Sequence, residues 1–315
     1  MIIWESLQSV FTVLIMVAIG FYLTKIKWFN EDIGSLFSKL VNKVSLPAFM
    51  LSNLLTNFTK ENLSSSISGF LLALSSMLLC YLIAFLLAKT LKVKETKRGT
   101  FTTMFALSNT IFIGLPACLS LFGDIATPYV MMYYIMNTLT FWTVGVYLIK
   151  KDGGYIEGSI ITKEGIKNIF SPPLIAFIIS MGLILLDLMP PKFIMESAKY
   201  IGNLTTPLSC LFVGIVLFNL SFKDFKLDKE SIVIILGRFI VAPLLIAFML
   251  SFTAFPPLMK KVFIIEAAMP VMTQISIVCK NYGGDYNYSA SMLTISTLLS
   301  LVFIPIYMIL FSQFL

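Results

Sequence analysis

The sequence predicts an all-α, polytopic membrane protein. It should have ten transmembrane helices arranged as two inverted five-helix repeats, with helices 4 and 9 broken and crossing and both termini outside. Three observations carry this prediction. Of 315 residues, 58% are hydrophobic and only 12% charged, against about 25% charged residues in a soluble domain. Apolar runs of about 20 residues, the length that crosses a bilayer, recur ten times between clusters of charge. Two of those runs carry proline and polar residues where a plain spanning helix wants leucine, and they occupy corresponding places in the two halves.

Charges punctuate the spans. The first covers residues 3–24, and the second 35–55 with Lys39 and Lys43 in its first turns. The third covers 66–89, the fourth 99–122 and the fifth 127–149. A polar cytoplasmic linker, 150–169, contains Gly153-Gly154. The sixth span, 170–188, is closed by Pro190-Pro191, and the seventh covers 198–220. The eighth, 231–252, stops before Pro256-Pro257; the ninth covers 258–280 and the tenth 288–311. Residues 2–23 lack the basic start and small-residue cleavage site of a signal peptide, so they read as the first span. With the N-terminus outside, 17 lysines and arginines fall in inside loops and 5 in outside loops, the bias expected of cytoplasmic loops.

The halves match. Ser45-Leu46-Pro47 has a counterpart in Thr206-Pro207, 160 residues later, and Gly123-Asp124 in Gly284-Asp285, 161 residues later. At that offset Asn109 falls on Pro270. Five spans per half is odd, so the second half (170–315) enters the membrane in the opposite sense to the first (1–149), a construction that secondary transporters share.

Composition also excludes functions. There is no histidine, the commonest proton shuttle and metal ligand. Cys80, Cys118, Cys210 and Cys279 lie in apolar runs at spacings unlike a metal site, so core packing is expected, with no metal or cofactor. A net charge of +7 describes orientation in a membrane protein, so the expected environment is the lipid bilayer and no nucleic-acid partner is expected. No His and no paired intramembrane aspartates are present to support an intramembrane enzyme.

The candidate site lies in the two unusual spans. Gly99 to Gly123 carries no charge and contains Ala106-Leu107-Ser108-Asn109-Thr110-Ile111-Phe112-Ile113-Gly114-Leu115-Pro116. Pro116 has no N–H and its ring displaces the carbonyl one turn earlier, so the ladder should break around Phe112. Lipid cannot satisfy freed backbone groups, so such a break is buried in protein or lines a watery cavity. Span 9 repeats the pattern with Pro270 followed by Thr273, Gln274 and Ser276. Each restarting half-helix presents N–H groups equivalent to about +0.5 charge, and two such ends facing each other attract a carboxylate. Asn109, Thr110, Thr273 and Gln274 are therefore the expected substrate contacts, with Gly114, Pro116 and Pro270 as helix breaks. Asn137 either faces the same cavity or bonds a neighbouring helix. Asn53 stands between the same two roles, and Pro47 and Pro207 shape their helices.

Two charges lie deep in apolar runs. Arg238 either snorkels to the inner surface, forms a structural pair, or meets an anionic substrate from inside. Glu266 is a proton-coupling carboxylate or a vestibule residue close to water. An ionised Glu266 would repel an anion, so a functional role requires it to be protonated for part of the cycle.

At these residues the chain resembles the auxin efflux carrier family, including its bacterial members. The pattern is Asn109-x-x-x-x-Gly114-x-Pro116, then Leu121-Phe122-Gly123-Asp124 and Asn137-x-x-x-x-Trp142-x-x-Gly145. It continues in Arg238-x-x-Val241-x-Pro243 and in Met269-Pro270 with Tyr282-Gly283-Gly284-Asp285. The chain departs from the plant carriers in its short central loop. The resemblance implies a fold like that of bile-acid symporters and sodium/proton antiporters, with a scaffold (1–58 and 170–222) and a transport domain (66–149 and 230–315). It implies a carrier of small organic anions such as malate, malonate or an auxin-like acid. It also implies a multi-pass protein of the cell membrane, bacterial inner membrane included, and a homodimer formed through the scaffold. Asn109, Asn137, Pro116 and Pro270 would map to the crossover and its polar shell. The coupling ion, proton or sodium, stays open. A sodium/proton antiporter is the alternative, but it wants carboxylates at the crossing, and spans 3–5 hold none apart from loop-located Asp124. A membrane sensor or partner module without flux is the other.

Overall fold

The computed structural model describes residues 2–58, 60–154, 170–219 and 228–314. Most of the expected linker, with Lys163 and Lys167, lies outside them, as do Lys223 and Lys226. The described chain is helical: α1 (Ile2–Lys25), α2 (Glu31–Leu40), α3 (Leu46–Asn57), α4 (Lys60–Thr90), α5 (Glu95–Ala106), α6 (Leu115–Phe122), α7 (Thr127–Thr140), α8 (Val146–Asp152), α9 (Pro172–Leu185), α10 (Lys192–Gly202), α11 (Thr205–Phe218), α12 (Lys229–Leu236), α13 (Ala242–Ser251), α14 (Pro257–Ala267), α15 (Thr273–Asn281) and α16 (Tyr286–Phe314). Among the described residues, four stretches are long and apolar enough to cross a membrane: Ile67–Thr90, Lys192–Phe218, Lys229–Ser251 and Tyr286–Tyr307. Leu71, Leu82, Phe85 and Leu86 on α4 and Phe248 on α13 are exposed, an outward apolar surface suited to lipid rather than water.

Sequence signals fix several helix starts. Asn30 caps α2, its side chain accepting from the Ile33 N–H at 2.9 Å, and Asp228 caps α12 by accepting from the Ser231 N–H at 2.8 Å. Both are residues favoured at N-caps because a short side-chain oxygen reaches an otherwise unpaired amide.

Among the described residues, four wide π turns interrupt the helices, at Val41–Ser45, Thr110–Gly114, Phe141–Gly145 and Gly237–Val241. In each, the N–H after the turn reaches back five residues, from Leu46 to Val41, Leu115 to Thr110, Val146 to Phe141 and Ala242 to Gly237. Three of them are followed by proline, at Pro47, Pro116 and Pro243. A proline cannot donate and pushes away the carbonyl four residues back, and widening the turn gives that carbonyl room. After Pro243 the freed carbonyl, Phe239 O, accepts instead from the Tyr307 hydroxyl. π turns of this kind occur often at functional positions.

Glycines let some helices meet backbone to backbone. On α1, a Cβ at Gly20 would collide with the Leu211 carbonyl of α11, and one at Gly214 of α11 with the Val17 carbonyl. Small residues at such contacts are what membrane helix pairs use, since lipid supplies no hydrophobic drive between helices. Gly20→Leu should therefore lower the melting temperature in detergent, with overpacking of about 1–3 kcal/mol or more. Gly182→Leu on α9, where an added Cβ meets nothing within 4 Å, should leave it unchanged. Equal melting temperatures would show that the close approach of α1 and α11 is not needed.

Buried apolar side chains form two clusters. One gathers Met77, Phe101, Phe105, Leu107, Phe141, Ile246 and Val271. The other gathers Leu46, Met50, Leu54, Ile111, Phe112, Leu115, Val213 and Ile265. Within the fourth span the division falls between Leu107 and Ile111, where its helix is interrupted.

Candidate functional site

The interruption between α5 and the turn beginning at Thr110 meets the interruption between α14 and α15. Ser108 and Val271 form an isolated antiparallel bridge, and the Asn109 N–H donates to Pro270 O at 2.8 Å. The residues expected to correspond at the repeat offset, Asn109 and Pro270, are thus direct partners. The location of the first break differs from the expectation. The helix opens at Leu107–Asn109 rather than around Phe112, and Phe112 lies in the π turn that accommodates Pro116. Pro116 is the second residue of α6 and follows the opening rather than causing it. Pro270 does lie within its break.

Opening a helix frees backbone groups, and side chains of other segments satisfy several of them. Asn137, fully buried on α7, donates from Nδ2 to Ser108 O at 2.9 Å and accepts at Oδ1 from the Ser108 N–H at 3.2 Å. One side-chain amide, with a donor and an acceptor side by side, replaces a strand partner. On the other side, the Val271 N–H donates to Ser296 Oγ at 3.1 Å. Of the two roles expected for Asn137, the structure shows bonding to a neighbouring segment.

Arg238 answers the carbonyls. It is fully buried, so it does not snorkel. Nη1 donates to Phe105 O at 3.0 Å, Nε to Met269 O at 3.1 Å, and Nη2 to Ala267 O. These are carbonyls at the C-terminal ends of α5 and α14, where the helix dipole is negative. One cation thereby serves both ends. Gly237 makes the approach possible, because a Cβ there would run into the Phe105 ring.

The two restarting ends share one side chain. Asn109 precedes the Thr110–Gly114 turn with φ −83° and ψ 75°, and its Oδ1 accepts from the Phe112 N–H at 3.3 Å. Its Nδ2 donates to Thr273 Oγ1 at 3.0 Å, the first residue of α15. That helix has no side-chain cap of its own, and the Ile275 N–H donates to Met272 O at 3.2 Å. Asn109 and Thr110 are 4% and 3% exposed, whereas Thr273 and Gln274 are half-buried. The Ser276 hydroxyl is buried without a hydrogen-bond partner, and the Ser108 hydroxyl is buried beside Tyr133. Neither was among the expected substrate contacts. The signal was in plain view, a serine one residue before Asn109 and another two residues after Gln274.

Glu266 sits in the last turn of α14, fully buried in this conformation. Its Oε1 accepts from Cys118 Sγ at 3.6 Å, and its Oε2 has no partner. A Cβ on Gly114 would strike both carboxyl oxygens, so Gly114, the last residue of the Thr110–Gly114 turn, also gives the carboxyl group its seat. Asn53 lies on α3, and the hydrogen bond it makes, from Asn57 Nδ2 at 2.9 Å, stays within that helix.

At the end of α8, Asp152 fastens α5 in place, accepting from the Gly99 N–H at 2.8 Å, the Thr100 N–H at 2.6 Å and the Thr100 hydroxyl at 2.8 Å. Burial pushes its carboxyl above the ordinary aspartate range, although these hydrogen bonds pull the other way. A cavity of about 410 Å³ opens beside it, lined by Glu95, Arg98 and Lys151.

Comparison with known proteins places the chain. A family model described as membrane transport protein matches residues 6–308. An uncharacterized transporter of Methanothermobacter thermautotrophicus is 27% identical over 311 residues, covering 98% of this chain and 99% of the relative. An uncharacterized transporter of Methanocaldococcus jannaschii is 27% identical over 310 residues, covering 96% and 97%. Those matches and the bonded pair of interrupted segments agree with the resemblance read from Asn109, Pro116, Asn137 and Pro270: the chain belongs to the auxin efflux carrier family of membrane transport proteins.

Proposed function

We propose that the protein is a secondary transporter for a small organic carboxylate, working by alternating access around the join of its two interrupted segments. The observation that carries this reading is the Asn109–Thr273 hydrogen bond, which sets two helix starts side by side in the middle of the fold. Their amides supply positive potential without a lysine. Arg238 neutralises the opposite, C-terminal ends, so the negative dipoles do not cancel that potential. Ser108 and Ser276 offer hydroxyls for orienting a carboxylate. The half-buried Thr273 and Gln274 mark the approach. In this reading ten spans form two inverted repeats with both termini outside, and the helices around Asn109 and Pro270 move against a scaffold containing α1–α3 and α9–α11.

Reconstitution tests this. Proteoliposomes preloaded with malate or malonate should take up the labelled acid by counterflow, and indole-3-acetate should be tried beside them. Sodium/proton exchange with no flux of any carboxylate would replace this reading with the antiporter.

A further inference from the structure

We propose that Glu266 is a proton-binding site, and that the proton it takes up is the one coupled to anion movement. The coupling half of this inference rests on the carrier reading above; the proton site itself does not.

The geometry around Glu266 is particular. The carboxyl group is fully buried, one oxygen meets only a thiol, and the other has no partner. Burying a charged carboxylate without a paired cation is very costly, and such a group takes a proton instead. Arg238 lies against the same helix end, yet its donors go to the carbonyls of Phe105, Ala267 and Met269. A hard metal cation asks for six or more oxygen ligands. Here the carboxyl group faces Cys118 and the Cα of Gly114, and no cluster of metal-ligating side chains occurs among the described residues. A proton fits this seat where a metal ion does not.

The titratable neighbours are few. Cys118 comes from α6 and Tyr133 from α7; both are buried. Arg238 comes from the turn before α13. Asp124, in the short helix before α7, is exposed, and Tyr307 of α16 donates to Phe239 O. Lys260 and Lys261 lie at the start of α14 itself. None of these is an ion-pair partner of Glu266 among the described residues.

The seat also connects the two interrupted segments. Glu266 belongs to α14, which ends at Pro270's break, and Gly114 closes the turn that Asn109 begins. Proton uptake converts a like charge into a neutral group beside the join, so a bound carboxylate and a proton on Glu266 favour each other. By linkage, lower pH then strengthens anion binding.

The experiment uses the full chain. In detergent, infrared difference spectra against pH should show the C=O stretch of a buried carboxylic acid, absent from Glu266→Gln. Cys118→Ser changes the hydrogen-bond donor and should move the same band, which assigns it if Glu266→Gln does not fold. In proteoliposomes with the voltage clamped at zero, one coupled proton permits up to about tenfold accumulation of malate or malonate per unit of pH gradient. Glu266→Gln should reduce that ratio to unity while counterflow continues. A band that persists in Glu266→Gln and ignores Cys118→Ser overturns the proton site. Accumulation that survives Glu266→Gln overturns the coupling. If wild-type protein gives no counterflow of either acid, the carrier reading fails, while the infrared band still decides the proton site.

Discussion

Arg238→Ala should lose most of its folded protein. The side chain is fully buried and donates to three carbonyls drawn from the ends of two separate helices. Truncation leaves those carbonyls unsatisfied, at about 1–3 kcal/mol each, and adds a cavity. The sum approaches a typical total stability of about 5–15 kcal/mol. Arg238→Met keeps much of the volume but none of the donors, and should fail nearly as badly, which separates hydrogen bonding from packing. Arg238→Lys keeps a charge but replaces the planar fork by a compact ammonium. It cannot span carbonyls on both helices in the same way and should fall between the two. Fluorescence-detected size exclusion and thermal melts in detergent measure all three. A wild-type melt for Arg238→Ala would mean that the two helix ends hold together without it.

This role was not legible in the sequence, and the reason is physical. An arginine one or two turns from the end of an apolar run looks like a snorkelling residue, because its stem is long enough to reach the interface. Only the positions of Phe105, Ala267 and Met269, far apart in the chain, show that acceptors wait for it inside. Glu266 is a similar case. Its depth depends on Gly114 and Cys118, residues of another helix. By contrast, the correspondence of Asn109 with Pro270 was legible, since the Pro47–Pro207 and Gly123–Gly284 pairs give offsets of 160 and 161 residues, alike to within one. The displacement of the first break from Phe112 to Leu107–Asn109 has two causes, one local and one remote in sequence. Proline reads as a helix breaker, yet a π turn absorbs Pro116, while Asn137 holds the chain open at Ser108 from a distant part of the sequence. Ser296, which accepts from the Val271 N–H, sits in a polar run with Thr294, Thr297 and Ser300. Such a run within an apolar span is a signal that sequence reading can use.

Asn109→Ala should abolish transport while leaving most of the protein folded. Loss of its cap on the Phe112 N–H costs about 1 kcal/mol, and its backbone bond to Pro270 O does not depend on the side chain. Loss of Nδ2 also releases Thr273, so the two helix starts are no longer tied. Thr273→Val cuts the same bond from the other side. If that bond is what matters, the double variant should transport no worse than the single ones, because residues acting through one interaction are not additive. Asn109→Asp probes charge at the join. Aspartate caps a helix as well as asparagine does, so the Phe112 N–H keeps its acceptor, but an unpaired carboxylate at this buried position should lower the melting temperature. As an anion it cannot donate to Thr273, and under the carrier reading it places a negative charge where the carboxylate would bind. Its counterflow of malate and malonate should therefore be lost more completely than that of Thr273→Val. Wild-type flux in Asn109→Asp would put the anion elsewhere, and would leave the bonded join of the two segments as a structural device alone.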